Sequence, residues 1–414
     1  MRYLFDARNR DGRDSVDTGD AQSQRGASGW ITGLVLLSLG VWAAMTHPWI
    51  AIFVTGLLVS VFLHEMGHYV TARWTGMKVT QFYMGFGPRL WSRRRGDVEY
   101  GIRALPLGAY VRIIGMNSLD ECAPEDEART YRAQTYPRKM LVITAGSLVQ
   151  LLLAFMLFAG IFGTVGVPGE TGRVRVDMVG ELVGGGESAA MAVGIRVGDV
   201  IVSIDGEAVS TQRQLTELIG AASPGDTLDV VLERDGETIL VQPTLTATQG
   251  RAVLGVGINS YGWRPTGLLN AVGEAAVAVG TTSADAIRGV FVVFNPVHLV
   301  SNVTADVANP DTRPSTVVGA SQVGGRIGEA AGLPGVLLLL ASVNVVFAII
   351  NLFPLLPFDG GHAAIATYER LRSRKGRAYH ADAAKLATTA MVTMVVMLVV
   401  FSVGLYLDIT QPIG

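Results

Sequence analysis

From Met140 to Val167 the chain carries no charged side chain, and the same holds for Trp30–Met45, Trp49–Leu63, Gly335–Phe358 and Leu386–Tyr406. A helix needs about 20 apolar residues to cross about 30 Å of hydrocarbon. Runs of this kind, clustered rather than spread through the sequence, predict a polytopic α-helical membrane protein of about four to five transmembrane helices. Composition agrees: 49% of residues are hydrophobic and 16% are charged, against a usual charged share of about 25%. The net charge of −2 comes with no concentrated basic face, so nucleic acid is excluded as a partner. The lipid bilayer is the expected one. A single cysteine, Cys122, rules out an internal disulfide framework and a multi-cysteine metal site. Any metal therefore falls to histidine and carboxylate.

Charge and turn signals divide the chain. Residues 1–29 are polar, with arginines and aspartates in equal number, and read as a disordered cytoplasmic tail. Residues 30–46 form an extra, short transmembrane helix, and 49–74 a full one. Residues 75–137 are basic and rich in β-formers and glycine, which predicts a cytoplasmic-side β structure beside the membrane. A third crossing covers 138–168. Residues 170–248 alternate as strands around a helix at about 212–222, with hairpin signals at Asp205-Gly206 and Asp235-Gly236. Residues 249–331 read as an amphipathic and linker region, with 302–328 as a loop. A crossing at 332–362, a basic cytoplasmic loop at 363–385 and a last crossing at 386–408 complete the chain. The positive-inside rule then places 170–330 outside the cytoplasm.

His64-Glu65-Met66-Gly67-His68 ends the second apolar run. Positions i and i+4 share one face of a helix, so both imidazoles can grip one metal, and Glu65 lies close enough to deprotonate a metal-bound water. Ionisable groups at such a depth are costly unless they serve a function. Zinc needs a third protein ligand. Asp359 and His362 are the candidates, because both lie where another apolar segment meets a cytoplasmic loop; His298 falls on the opposite side. Asp359 is preferred, since the prolines Pro354 and Pro357 before it unwind a helix where only a protein-lined or wet cavity tolerates unwinding.

These residues resemble the bacterial site-2 protease family, through HEMGH in one apolar helix, the later Asn351-x-x-Pro354-x-x-Pro357-x-Asp359-Gly360-Gly361, and a domain between them. The resemblance covers most of residues 49–408. It extends to Gly85-Phe86-Gly87-Pro88 and Tyr110–Met116, similar to the family's membrane-associated β-loop, and to Ser188–Val209, similar to a PDZ domain. It implies an intramembrane zinc metalloendopeptidase with Zn2+ on His64, His68 and Asp359, and Glu65 as general base. Gly85, Phe86 and Gly87 would help lay the substrate out as a strand. Asn351 would hold the substrate backbone or the oxyanion, or alternatively make a helix–helix hydrogen bond. The implied substrate is a single-pass membrane protein, an anti-sigma factor or a remnant signal peptide. The implied location is the bacterial inner membrane, with the active site near the cytoplasmic side and the PDZ domain extracytoplasmic. Gly146-Ser147-Leu148-Val149-Gln150 stands where the family often carries Gly-Pro-x-x-Asn, a departure that bears on substrate positioning. The rival reading is a PDZ-based membrane scaffold without proteolytic activity, which has no need of Glu65 or Asp359. A metal transporter would spread polar residues through the bilayer depth, and here they cluster at cytoplasmic ends.

Overall fold

The computed structural model describes residues 35, 38, 40–116, 122–180, 186–248, 250–373, 379, 381 and 383–412. The expected tail at 1–29 lies outside that range, as do most of residues 30–39 and residues 374–378 of the basic loop; residues 40–46 are helical. The chain divides into two compact units, residues 1–157 with 277–414, and residues 158–276.

Helix α1 spans Pro48–Trp74. Proline at its first turn sacrifices no hydrogen bond, and the helix runs for about 40 Å. After Gly76, which turns the chain with φ 83°, strands β1 (Val79–Arg95) and β2 (Val98–Ile113) form an antiparallel pair. Helix α2 covers Tyr136–Thr164.

The second unit carries β3 (Val167–Val179), α3 (Ala189–Ala192), β4 (Val200–Ile204), β5 (Glu207–Ala208), α4 (Gln212–Ala221), β6 (Val230–Arg234), β7 (Glu237–Val241), β8 (Thr246–Thr248), β9 (Arg251–Val253) and β10 (Val256–Arg264). The sheet order is β10-β3-β4-β6-β7, with β5 beside β4. Asp205-Gly206 and Asp235-Gly236 all take positive φ, the geometry of two-residue type I′ hairpins. Val174, Val176, Ile201, Val230 and Leu232 are wholly buried in its core. The sheet extends beyond the expected 170–248 on both sides, because β10 returns to pair with β3 from Val256↔Val179 to Arg264↔Val167.

Helices α5 (Leu268–Val293), α6 (Pro296–Thr304), α7 (Val317–Asn351), α8 (Asp359–Arg372) and α9 (Ala383–Thr410) follow. Among the described residues, five helices are long and apolar enough to cross a membrane: α1, α2, α5, α7 and residues 386–410 of α9. Large apolar side chains on α9, such as Met394, Leu398 and Phe401, are exposed, as suits a lipid-facing surface.

The region at 249–331, read as amphipathic and linker, contains the helix α5, which has a mean hydropathy of 1.4 despite the scattered Glu274, Asp285 and Arg288. Two expectations are corrected. The loop expected at 302–328 is largely helical, since α7 begins at Val317. Its glycines are packing positions: a Cβ at Gly324 or Gly325 would come within 2.9 Å of Phe53 or 2.8 Å of Ile50, both on α1. Small residues of this kind let membrane helices approach closely. Finally, 332–362 is not one crossing followed by a loop. Helix α7 kinks at Gly332 (φ 63°, ψ −158°), ends at Asn351 before Pro354 and Pro357, and Asp359 opens α8. The segment from Ala363 continues as helix because its alanines favour one and Arg370 and Arg372 suit its last turn.

Candidate metal centre

Each element delivers one part of the site. One turn of α1 separates His64 from His68, which are 7% and 5% exposed. Their Nε2 atoms stand 3.1 Å apart. Asp359, first residue of α8, brings Oδ2 to 3.3 Å from Nε2 of His64 and 3.1 Å from Nε2 of His68. The break after α7 makes this possible. The first turn of α8 crosses the Leu352–Phe358 segment so closely that a Cβ on Gly361 would lie 2.5 Å from the Leu356 nitrogen. Gly360 is packed in the same way against Leu352 and Phe353, which accounts for both glycines after the aspartate.

Helix α2 completes the enclosure. Val142, Gly146 and Gln150 recur every four residues and form one stripe facing the histidines. Nδ1 of His68 lies 2.7 Å from the Val142 carbonyl, and Nδ1 of His64 lies 3.2 Å from Oε1 of Gln150. Between them, a Cβ on Gly146 would come within 2.5 Å of both imidazoles, so no other residue type fits there unless the histidines move.

The hydrogen bonds decide the tautomers. A carbonyl only accepts, so Nδ1 of His68 donates to Val142 and Nε2 keeps a lone pair. The Oε1 of Gln150 makes the same demand on His64. Two imidazole lone pairs and a carboxylate oxygen thus face one point. A proton on Nε2 of His68 would serve one neighbour at a time, whereas a cation serves all three. Three ligand atoms held at about 2.0–2.1 Å around a tetrahedral ion stand about 3.3–3.4 Å apart, and the observed edges are 3.1, 3.1 and 3.3 Å. The donor set therefore fits zinc. Among the described residues these three form the one group of histidine, cysteine and acidic side chains placed to hold a metal.

Glu65 follows His64 on α1. It lies beside Val111 of β2, which packs with Phe62, Met66 and Tyr69 of α1, and within electrostatic reach of His64, His68 and Asp359. The other expected residues are placed around this centre. Asn351 is the half-buried last residue of α7. His362 sits one turn beyond Asp359 on α8 and is outside the metal group. Gly85 and Gly87 lie in β1 with φ 87° and 79°, and a Cβ on Gly85 would meet the Arg103 and Leu105 carbonyls at 2.8 Å. Phe86 between them stacks on Tyr110. Sequence reasoning gave no role at the metal to Val142, Gly146 or Gln150; their four-residue spacing in an uncharged helix was the available signal.

The family model of peptidase family M50 matches residues 52–398. The chain belongs to that family. Zinc metalloprotease Rip1 of Mycobacterium tuberculosis is 32% identical over 88% of this chain and 98% of its own length. Its counterpart in Mycolicibacterium smegmatis is 34% identical over 78% of this chain and 86% of its own. A putative zinc metalloprotease of Agrobacterium fabrum is 29% identical over 87% and 96%. Among solved structures, a PDZ domain of the SdrC-like protein from Listeria monocytogenes covers 20% of this chain and 85% of its own, with 24% identity and a TM-score of 0.19. The M50 member described here is a metalloendopeptidase of the site-2 type, and its cofactor is Zn2+.

Proposed function

We propose that His64, His68 and Asp359 hold the zinc, and that Glu65 serves as general base in hydrolysing a peptide bond within or beside a transmembrane segment. The observation that carries this reading is the triangle of three acceptor atoms with zinc-like edges, two of them fixed as lone pairs by α2. Bound there, zinc would supply a Lewis acid and acidify a water in its open position. Glu65 would accept a proton from the attacking water as the water oxygen bonds to the scissile carbonyl carbon, and would later deliver that proton to the amine nitrogen as the C–N bond breaks. Asn351 holds the substrate backbone, and Gly85, Phe86 and Gly87 help form the surface on which an unwound substrate lies as an extended strand. A helical substrate hides its amides in i→i−4 bonds, so unwinding must precede the attack, and pairing with a strand compensates the amides it exposes.

The substrate in this reading is a single-pass membrane protein, an anti-sigma factor or a remnant signal peptide. The domain at 170–248 acts as an extracytoplasmic PDZ domain that admits substrates whose outer part has already been removed. The site lies near the cytoplasmic face of a bacterial inner membrane, which the basic residues of 73–139 support. The test is purification in detergent, with bound zinc and cleavage of a transmembrane peptide measured for the wild type and Glu65→Gln. Zinc in both, with cleavage lost in the variant, is the expected result. Unchanged cleavage by Glu65→Gln would overturn the role of the base.

A further inference from the structure

Strands β1 and β2 fold back on themselves. Arg89–Arg95 pairs with Val98–Arg103, Gln81–Met84 lies beside Glu99–Ile102, and Val79–Phe86 pairs with Leu105–Ile113. Four adjacent segments result, with two outer edges. On one edge Val111 packs with Phe62, Met66 and Tyr69 of α1, beside Glu65. The other edge is Arg89–Arg95.

The register shows which way that far edge faces. Trp91 stands opposite Ile102, Arg93 opposite Tyr100 and Arg95 opposite Val98, and directly opposed residues share a face. The Tyr100 hydroxyl meets the Tyr69 hydroxyl of α1 at 2.5 Å, and Val98 is buried in the cluster that holds Ala72 of α1. Trp91, Arg93 and Arg95 therefore lie on the face turned towards the end of a membrane-spanning helix. Trp91 is 52% exposed and Ile102 47%. Arg93, Arg94 and Arg95 are exposed, with Arg94, opposite Glu99, on the other face of the same edge, and none of their side chains forms a hydrogen bond or ion pair among the described residues. Trp74, the last residue of α1, is exposed as well.

An amphipathic indole beside unpaired guanidinium groups at a helix end has the chemistry of an interface with phosphate headgroups. Tryptophan settles at that depth, and arginine pairs with phosphate through a planar fork of donors. We propose that Trp91, Arg93, Arg94 and Arg95 bind anionic lipid headgroups, and that their occupancy sets the sheet, and through Val111 the carboxylate of Glu65, in the working position. The second half of this proposal rests on the catalytic reading above.

The test uses the full chain reconstituted in phosphatidylcholine bilayers containing increasing phosphatidylglycerol, with a transmembrane peptide whose flanks are uncharged. Cleavage rises about fivefold with the anionic lipid, the factor that the attraction of one arginine sets, and high salt cancels the rise. The variant Arg93→Gln/Arg94→Gln/Arg95→Gln cleaves at the wild-type rate in phosphatidylcholine and does not respond to phosphatidylglycerol. A wild type indifferent to the lipid, or a variant that keeps the full response, would overturn the proposal. So would a response that follows acidic flanks on the peptide instead of the lipid, which would assign the arginines to substrate. A second readout needs no activity: bromine-labelled phosphatidylglycerol quenches tryptophan emission more in the wild type than in Trp91→Phe, and the difference shrinks in the triple glutamine variant. If cleavage is absent in every bilayer while this quenching pattern holds, the catalytic reading fails and the lipid site stands. Equal quenching of wild type and Trp91→Phe removes the site itself.

Discussion

At the scale of single residues, the centre depends on groups that never touch the metal. Gln150 holds His64 by its free nitrogen, and the Val142 carbonyl holds His68. Removing such a partner typically lowers metal affinity 10- to 100-fold, an order-of-magnitude range of about one to two decades. Gln150→Ala should therefore lose zinc to a chelator at about tenfold lower chelator concentration or less, with helix content unchanged by circular dichroism. Gly146→Ala should be more severe, because its Cβ would come within 2.5 Å of both imidazoles; zinc content after purification checks it. The sequence made the grouping of His64, His68 and Asp359 legible because their types and spacings are unusual in an apolar context. Gly146 and Gln150 were not legible at the metal, because a glycine and an amide in a membrane helix have many uses. Only the neighbouring helix shows which one applies here.

At the scale of elements, what matters is where helices stop. Asp359 reaches the histidines because α7 ends at Asn351 and α8 begins afresh after two prolines. Pro354→Ala/Pro357→Ala, which removes the obstacles to continuing the helix, should misplace Asp359 and lower both zinc content and cleavage; metal analysis and peptide cleavage on the same preparation check it. The prolines showed in the sequence that the segment unwinds. That Asp359 starts a helix rather than ending one did not, since Asp-Gly-Gly serves both purposes until its packing against Leu352 and Phe353 is known. The same ambiguity misled the reading of Gly324–Gly328, where glycines that suggest a loop are the contact face of α7 with α1. In the second unit, the Arg234 guanidinium on Asp199 holds that carboxyl below its ordinary range, against the opposing effect of burial and with help from the Arg196 amide. A lowered folded value means the contribution is fully present above the ordinary aspartate pKa of about 3.9 and fades as pH falls through the lower folded value. Hydrogen exchange of Val200–Ile204 in the intact chain should accelerate only in that acid window. Arg234→Met should shrink or abolish that acid dependence and cost about 3 kcal/mol at neutral pH, the usual consequence of leaving a buried charge unpaired.

At the scale of the whole molecule, a polytopic membrane chain was legible from its uncharged runs, and the small mixed α/β unit from its alternating strands and Asp-Gly turns. The character of α5 was less so: its three charges made 249–331 read as amphipathic and linker, and its length and composition also match a membrane span. The division of labour across the molecule follows from placement. Helices α1 and α8 carry the candidate metal group and α2 its supports, while the β1–β2 sheet extends from beside α1 to the exposed arginines. The most direct test of this account is zinc K-edge X-ray absorption on the purified full chain. The account predicts one tetrahedral zinc with two imidazole nitrogens and oxygen ligands at about 2.0–2.1 Å and no sulfur, with one imidazole fewer in His68→Ala. A sulfur ligand, an octahedral all-oxygen shell, or a spectrum unchanged in His68→Ala would contradict it.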